Sequence, residues 1–123
     1  MLIGHHKKSH LWIFNGGHID KGERLLQTLT REIWEELGWK LTFRLNTAPN
    51  LLTITDEINN SKQTCQTHFD SWYFLAVDKN QLPIDQDKMT EEFYQFGWMD
   101  QDQARELVID PATLSALSFL NKH

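Results

Sequence analysis

The sequence has little that would tie it to an oxidising compartment, a membrane or a nucleic acid. Cys65 is the only cysteine, so no intramolecular disulfide can form and a reducing compartment, the cytoplasm, is expected. No apolar run reaches the ~20 residues of a membrane-spanning helix, and the N-terminal segment lacks a secretory-signal pattern. Lysine and arginine number 12 against 17 acidic residues, without a clustered basic face, which argues against a long nucleic-acid partner.

The remaining composition suits one globular domain spanning residues 1–123. Hydrophobic residues make up 40% of the chain and charged residues 24%, which is enough apolar side chain to form a core. The net charge is −5, yet an acidic protein still binds an anionic ligand when a metal cation lies between them.

Hydrophobic periodicity and turn residues predict a layered α/β domain with a mixed sheet. Strands are predicted at residues 2–6, 11–14, 41–46, 51–58, 69–77 and 93–99, with 69–77 apolar enough to be central. Helices are predicted at about 23–37, near 101–107 and from Asp110-Pro111 onward, with polar loops at 59–66 and 78–89.

The first helix carries acidic residues on an unexpected face. At 100° per residue, Glu36 lies about 20° from Leu25, within the apolar stripe, and Glu32 lies one turn earlier on the same edge. Glu35 fits a solvated face, with Arg31 four residues back. A buried carboxylate without a partner costs several kcal/mol, so a hard cation such as Mg²⁺ is the favoured explanation.

The loop before this helix supports a metal site. Gly16 and Gly17 reach backbone conformations closed to other residues, so a carbonyl can turn inward as a ligand. Arg31 can brace Glu23 by a bidentate contact and hold the loop against the helix.

These residues match a known sequence signature, and the chain resembles the Nudix hydrolases. The signature is carried by Gly17, Glu23, Arg31, Glu32, Ile33, Glu35, Glu36, Gly38 and Trp39, seven by letter and two by class. The resemblance implies an α/β/α sandwich with a mixed sheet. Two departures stand out: Asn15 replaces the usual proline before the paired glycines, and Met1 lies almost at the first predicted strand, so the family's usual preceding strand is expected to be missing.

The resemblance also implies hydrolysis of a nucleoside diphosphate linked to another moiety, with Mg²⁺ or Mn²⁺ as cofactor. It makes Glu32 and Glu36 the main metal ligands, assisted by Glu35 and by the carbonyl of Gly16. Glu23, Arg31, Glu32 and Glu35 form the expected catalytic set. A further acid from a later loop often ligates metal or deprotonates water in the family, and Glu91 and Glu92 are the candidates here.

The expected partner is a small nucleotide-type molecule, and a homodimer is compatible with this interpretation. His6 or Lys7 could touch its phosphates, and Phe14 could stack a base, although each also suits a purely structural role. Three alternatives stay open: a non-catalytic nucleotide sensor on the same fold, an RNA-decapping enzyme, and an isoprenoid diphosphate isomerase, which would need a well-placed cysteine where Cys65 lies in a predicted polar loop.

Substitution of Glu36 tests the metal hypothesis directly. We expect Glu36→Gln to abolish Mg²⁺-dependent turnover and leave the fold intact, because the amide keeps the side-chain shape but removes the anionic ligand. Steady-state hydrolysis and circular dichroism of the purified variant measure both effects. Near-wild-type rates would refute the assignment.

Overall fold

The computed structural model describes residues 1–59 and 64–123, and the side chains of all of these except 57–59 and 64–66. Its strands are β1 (Leu2–His6), β2 (Trp12–Ile13), β3 (Leu51–Asn59), β4 (Thr64–Trp72) and β5 (Phe93–Trp98). Its helices are α1 (Leu25–Leu37), α2 (Gln86–Glu92), α3 (Gln101–Leu107) and α4 (Pro111–Lys122). The predicted α/β class is therefore confirmed.

The larger sheet has the strand order β2-β1-β5, and both of its pairings are antiparallel. Successive residues of β1 point to opposite faces. Leu2 joins a core cluster with α1 and α2, whereas Ile3 joins a second cluster with α3 and α4. Helices thus pack on both faces of this sheet. All strand pairings among the described residues are antiparallel, so the mixed sheet is not found there, while the finer sandwich description and the missing first strand remain predictions.

Helix α1 presents an amphipathic face to the first cluster and ends where the sequence predicts. Ile33 and Leu37 are buried there, on the same side as Glu36. Gly38 adopts the left-handed conformation (φ 75°), and its N–H donates to the carbonyl of Trp34, which closes the last turn.

Helix α2 corrects the predicted loop at 78–89. Asp85 caps it by accepting a hydrogen bond from the backbone N–H of Lys88 (3.2 Å), and Met89 is fully buried against α1. The backbone N–H of Asp85 also donates to the carbonyl of Leu37 (3.0 Å), which ties the start of α2 to the end of α1. The helix ends at Glu92, and β5 begins at the next residue.

Two predicted strands are wrong in extent or existence. Residues 41–46 are not a strand: Leu41 and Phe43 pack against the first cluster, but their backbone pairs with no strand in the described part of the chain. The strand predicted at 69–77 ends at Trp72, because the side chain of Asn50 accepts a hydrogen bond from the backbone N–H of Phe74 (2.9 Å) and ends the ladder.

Strand β4 is also not central. It pairs only with β3 among the described residues, in antiparallel register, and its Phe69 is 75% exposed. The polar loop predicted at 59–66 is shorter than expected, because β3 ends at Asn59 and β4 begins at Thr64. Cys65 therefore lies in a strand, opposite Ile58; residues 60–63 of that loop lie outside the described chain.

None of the helices in the described part of the chain is long and apolar enough to cross a membrane.

Alanine substitutions at two glycines with positive φ, Gly22 and Gly38, distinguish the effect of backbone strain from that of steric crowding. At Gly22 (φ 86°) a Cβ would meet open space, whereas at Gly38 it would lie 2.8 Å from Asp85 Cβ. We expect Gly22→Ala to lower the free energy of unfolding by about 1 kcal/mol, and Gly38→Ala by about 2–3 kcal/mol because overpacking is added. Urea unfolding at 25 °C compares the two. Equal losses would contradict the tie between α1 and α2 at Asp85.

Candidate metal and active site

The carboxyl group of Glu36 is buried on the inner face of α1, as the helical geometry predicts. The residue is 2% exposed, and neither carboxylate oxygen makes a hydrogen bond of normal geometry with a described residue. Outside α1, the polar groups that influence it are the carboxyl of Glu92 and the backbone of Gly16. The sequence places these two groups 76 residues apart, and the fold brings both to Glu36.

The surroundings of Glu36 oppose its ionisation. Burial raises its pKa to about 9, and the negative charges of Glu92 and Glu32 act in the same direction. Burial also raises the pKa of Glu32, although Arg31 opposes that shift. A group of acids held together in this way favours a cation over a proton once a divalent ion is available.

Glu32 lies under the glycine loop. A Cβ at Gly17 would overlap the Glu32 carboxylate, so any other residue at this position would displace the carboxylate from its place beside the loop. The sequence identifies Gly17 as flexible, but the steric demand at this position emerges only from the packed structure.

Arg31 connects the loop to the helix. Its guanidinium donates two hydrogen bonds to Glu23 (2.8 and 2.9 Å), the bidentate contact expected from sequence, and one to the carbonyl of His18 (3.0 Å). It also reaches Glu32 (2.7 Å) and the half-exposed Glu35 (3.1 Å). The Arg31 contact lowers the pKa of Glu23 to about 2, so Glu23 stays ionised. Arg31 thus balances the outer acids.

The structure separates the two later acids. Glu92, the last residue of α2, influences the pKa of Glu36, of Glu32 and of His6. Both residues are exposed, but Glu91 is absent from the groups that shift these pKa values. Glu92 is therefore the candidate that the fold brings to the site.

The predicted substrate-binding residues lie in two places. His6 and Lys7 border Glu92: the backbone N–H of Lys7 donates to the Glu92 carbonyl (2.8 Å). Burial lowers the pKa of the His6 ring, and the negative charge of Glu92 opposes that shift. Phe14 instead packs in the second cluster, edge-on to Trp72 at 5.7 Å between ring centroids.

The residues present fit a hydrated divalent ion better than a fully protein-bound one. Within residues 1–59 and 64–123, no three acidic, histidine or cysteine side chains are grouped so that they alone could hold a metal ion. Mg²⁺ typically keeps several waters and binds through one or two carboxylates plus substrate phosphates. Glu36 is buried, makes no hydrogen bond of normal geometry within the described part of the chain and is influenced by Glu32, so it supplies that kind of ligand.

Comparison with known proteins agrees with this geometry. A NUDIX domain family profile matches residues 1–120. The chain belongs to the Nudix family. It is a Nudix pyrophosphohydrolase, and this family generally uses divalent metal ions. The chain is 29% identical over 107 residues to the nucleoside triphosphatase NudI of Escherichia coli strain ED1a, covering 86% of this chain and 73% of that protein. It is 27% identical to the NudI protein of Escherichia fergusonii, covering 87% and 74%.

The raised pKa of Glu36 gives stability a pH dependence in metal-free protein. The folded state holds a proton that the unfolded state releases above about pH 4.5, so stability falls as pH rises from there toward 9. We expect Glu36→Gln to match wild type near pH 4.5 and to exceed it increasingly at higher pH, by on the order of a few kcal/mol at pH 9.

Thermal unfolding in EDTA between pH 4.5 and 9 measures the difference in stability between wild type and the Glu36→Gln variant. A constant gap between the two proteins would contradict the burial of an ionisable carboxyl at this position.

Proposed function

We propose that this chain hydrolyses a pyrophosphate bond in a nucleoside diphosphate linked to another moiety, with nucleoside triphosphates as the first substrate class to test, and that it requires Mg²⁺ or Mn²⁺. The observation that carries the proposal is the buried carboxyl group of Glu36, which has no hydrogen bond of normal geometry among the described residues and is influenced by Glu32 and Glu92. The name of the NudI relatives, nucleoside triphosphatase, supports the substrate class.

In this proposal Glu32 and Glu36 hold the ion, with Glu35 assisting and the carbonyl of Gly16 as a further ligand. When bound, the ion neutralises the dense negative charge of the pyrophosphate and polarises the phosphorus under attack. The carboxylates alone would repel that substrate, so binding and chemistry both depend on the loaded site.

Glu92 is proposed as the group that takes a proton from the attacking water. The water oxygen forms a new bond to phosphorus while the bridging P–O bond breaks, and the leaving phosphate keeps the electron pair. Glu92 suits this role because it reaches Glu36 from α2, opposite the helix that carries the other acids.

Arg31 and Glu23 are positioning residues in this account. Their bidentate contact and the bond from Arg31 to His18 hold the loop over Glu32. Lys7 and His6, which border Glu92, are proposed to meet the phosphates, and Phe14 remains the proposed contact for the base.

The remaining proposals concern the whole molecule: residues 1–123 form one domain that works in the cytoplasm, and a homodimer is compatible with it. The non-catalytic sensor is the competing function. Sensors on this fold typically lose the acids of the signature, and this chain keeps all of them.

Adjacent glutamates provide a matched test. We expect Glu92→Gln to lower kcat by about 100-fold or more, because loss of general-base catalysis has that magnitude, whereas Glu91→Gln should stay within about twofold of wild type. Phosphate or pyrophosphate release from a panel of nucleoside triphosphates, nucleotide sugars and dinucleoside polyphosphates is measured with Mg²⁺ and with EDTA.

Three outcomes would count against the proposal. Turnover that survives EDTA would exclude the metal requirement. An equal effect of the two substitutions would exclude a special role for Glu92. Tight nucleotide binding without turnover on any compound of the panel would favour the sensor.

A further inference from the structure

Asn15 contacts Met89, a residue distant in the sequence, and the sequence alone does not predict this contact. It is half-buried directly before Gly16 and Gly17, and its side-chain amide donates to the sulfur of Met89 (Nδ2 to Sδ, 3.2 Å). Asparagine does not fix φ as the ring of proline does, so a loop that begins at Asn15 needs another source of rigidity.

Met89 is held in a fixed position by its packing and by its place in α2. It is fully buried in the first core cluster, and its backbone N–H donates to the carbonyl of Asp85 (3.1 Å) within α2. Glu92 lies three residues further along the same short helix. The bond from Asn15 therefore connects the glycine loop to the element that carries Glu92.

The loop is held at its other end as well. The guanidinium of Arg31 binds the carbonyl of His18, so Gly16 and Gly17 lie between two fixed points, one on α2 and one on α1. Gly16 and Glu92 are the two groups outside α1 that influence Glu36, and the contact at Met89 joins the elements to which they belong.

We propose that Asn15 is a positioning residue that holds the glycine loop against α2, so that the backbone of Gly16 and the carboxyl of Glu92 meet at Glu36. The inference rests on the proposed metal-dependent function and adds the group that sets the geometry of the loop. Supporting groups outside the ligand shell commonly change metal affinity by 10–100-fold. A thioether is a weak acceptor, so the lower end of that range is expected.

A double-mutant cycle tests the proposal in the full chain. Asn15→Leu removes the donor at similar size, and Met89→Leu removes the acceptor with little change in volume. Calorimetric titration with Mn²⁺ alone gives the affinity, and amide hydrogen exchange of the metal-free protein reports on residues 16 and 17.

We expect each single variant to bind Mn²⁺ about tenfold more weakly and to exchange the loop amides faster. The double variant should be no worse than either single one, because both substitutions break the same contact. Asn80→Leu, in an exposed turn, and Met99→Leu, in the second cluster, are the matched controls and should bind like wild type.

Thermal unfolding confirms that each variant is folded at the titration temperature. Unchanged Mn²⁺ affinity in both single variants, or additive losses in the double variant, would overturn the role of Asn15 while leaving the proposed function intact. If wild type takes up no Mn²⁺, the proposed function fails, and this inference fails with it.

Discussion

The burial of the Glu36 carboxyl group on the inner face of α1 is the constraint on which the arrangement of the neighbouring elements depends. Among the described residues, Arg31 is the cation that pairs with the acids around it, and its guanidinium donates hydrogen bonds to Glu23, Glu32 and Glu35. Glu36 receives none of them. The guanidinium of Arg31 thus neutralises Glu23, Glu32 and Glu35, whereas an ionised Glu36 would need another positive charge.

That division of charge explains the arrangement of the loop and of α2. Glycine at position 17 lets the chain pass over Glu32, and the bond from Asp85 to Leu37 brings α2 alongside α1. The last residue of α2 then adds its negative charge to the group around Glu36. Such a group disfavours ionisation in the free protein and favours a divalent ion. Stability and the proposed catalysis therefore depend on the same atoms.

Local patterns in the sequence predict the structure correctly where the interactions that determine it are between residues close in the chain. The burial of Glu36 follows from helical periodicity, and Gly38 ends α1 in the left-handed conformation. Asp110 caps α4 ahead of Pro111, as expected. By contrast, residues 41–46 alternate like a strand but pair with no other strand among residues 1–59 and 64–123, because strand pairing depends on the whole chain and not on the local pattern. Helix α2 is too short to show a clear period.

The same limit applies within the site. Glu91 and Glu92 are neighbours at the end of α2, and only the folded chain shows that Glu92 is the one that influences Glu36. The bond between Asn15 and Met89 joins residues 74 positions apart, so no local pattern could reveal it.

The most direct measurement is a crystal structure of the protein soaked in Mn²⁺, with anomalous scattering to locate the ion. The account predicts a strong peak within ligand distance of Glu36 and Glu32, with the remaining ligands supplied mainly by water. An empty site at saturating Mn²⁺, with Glu36 still buried, would show that this carboxyl group is tolerated as a neutral acid and would contradict the account.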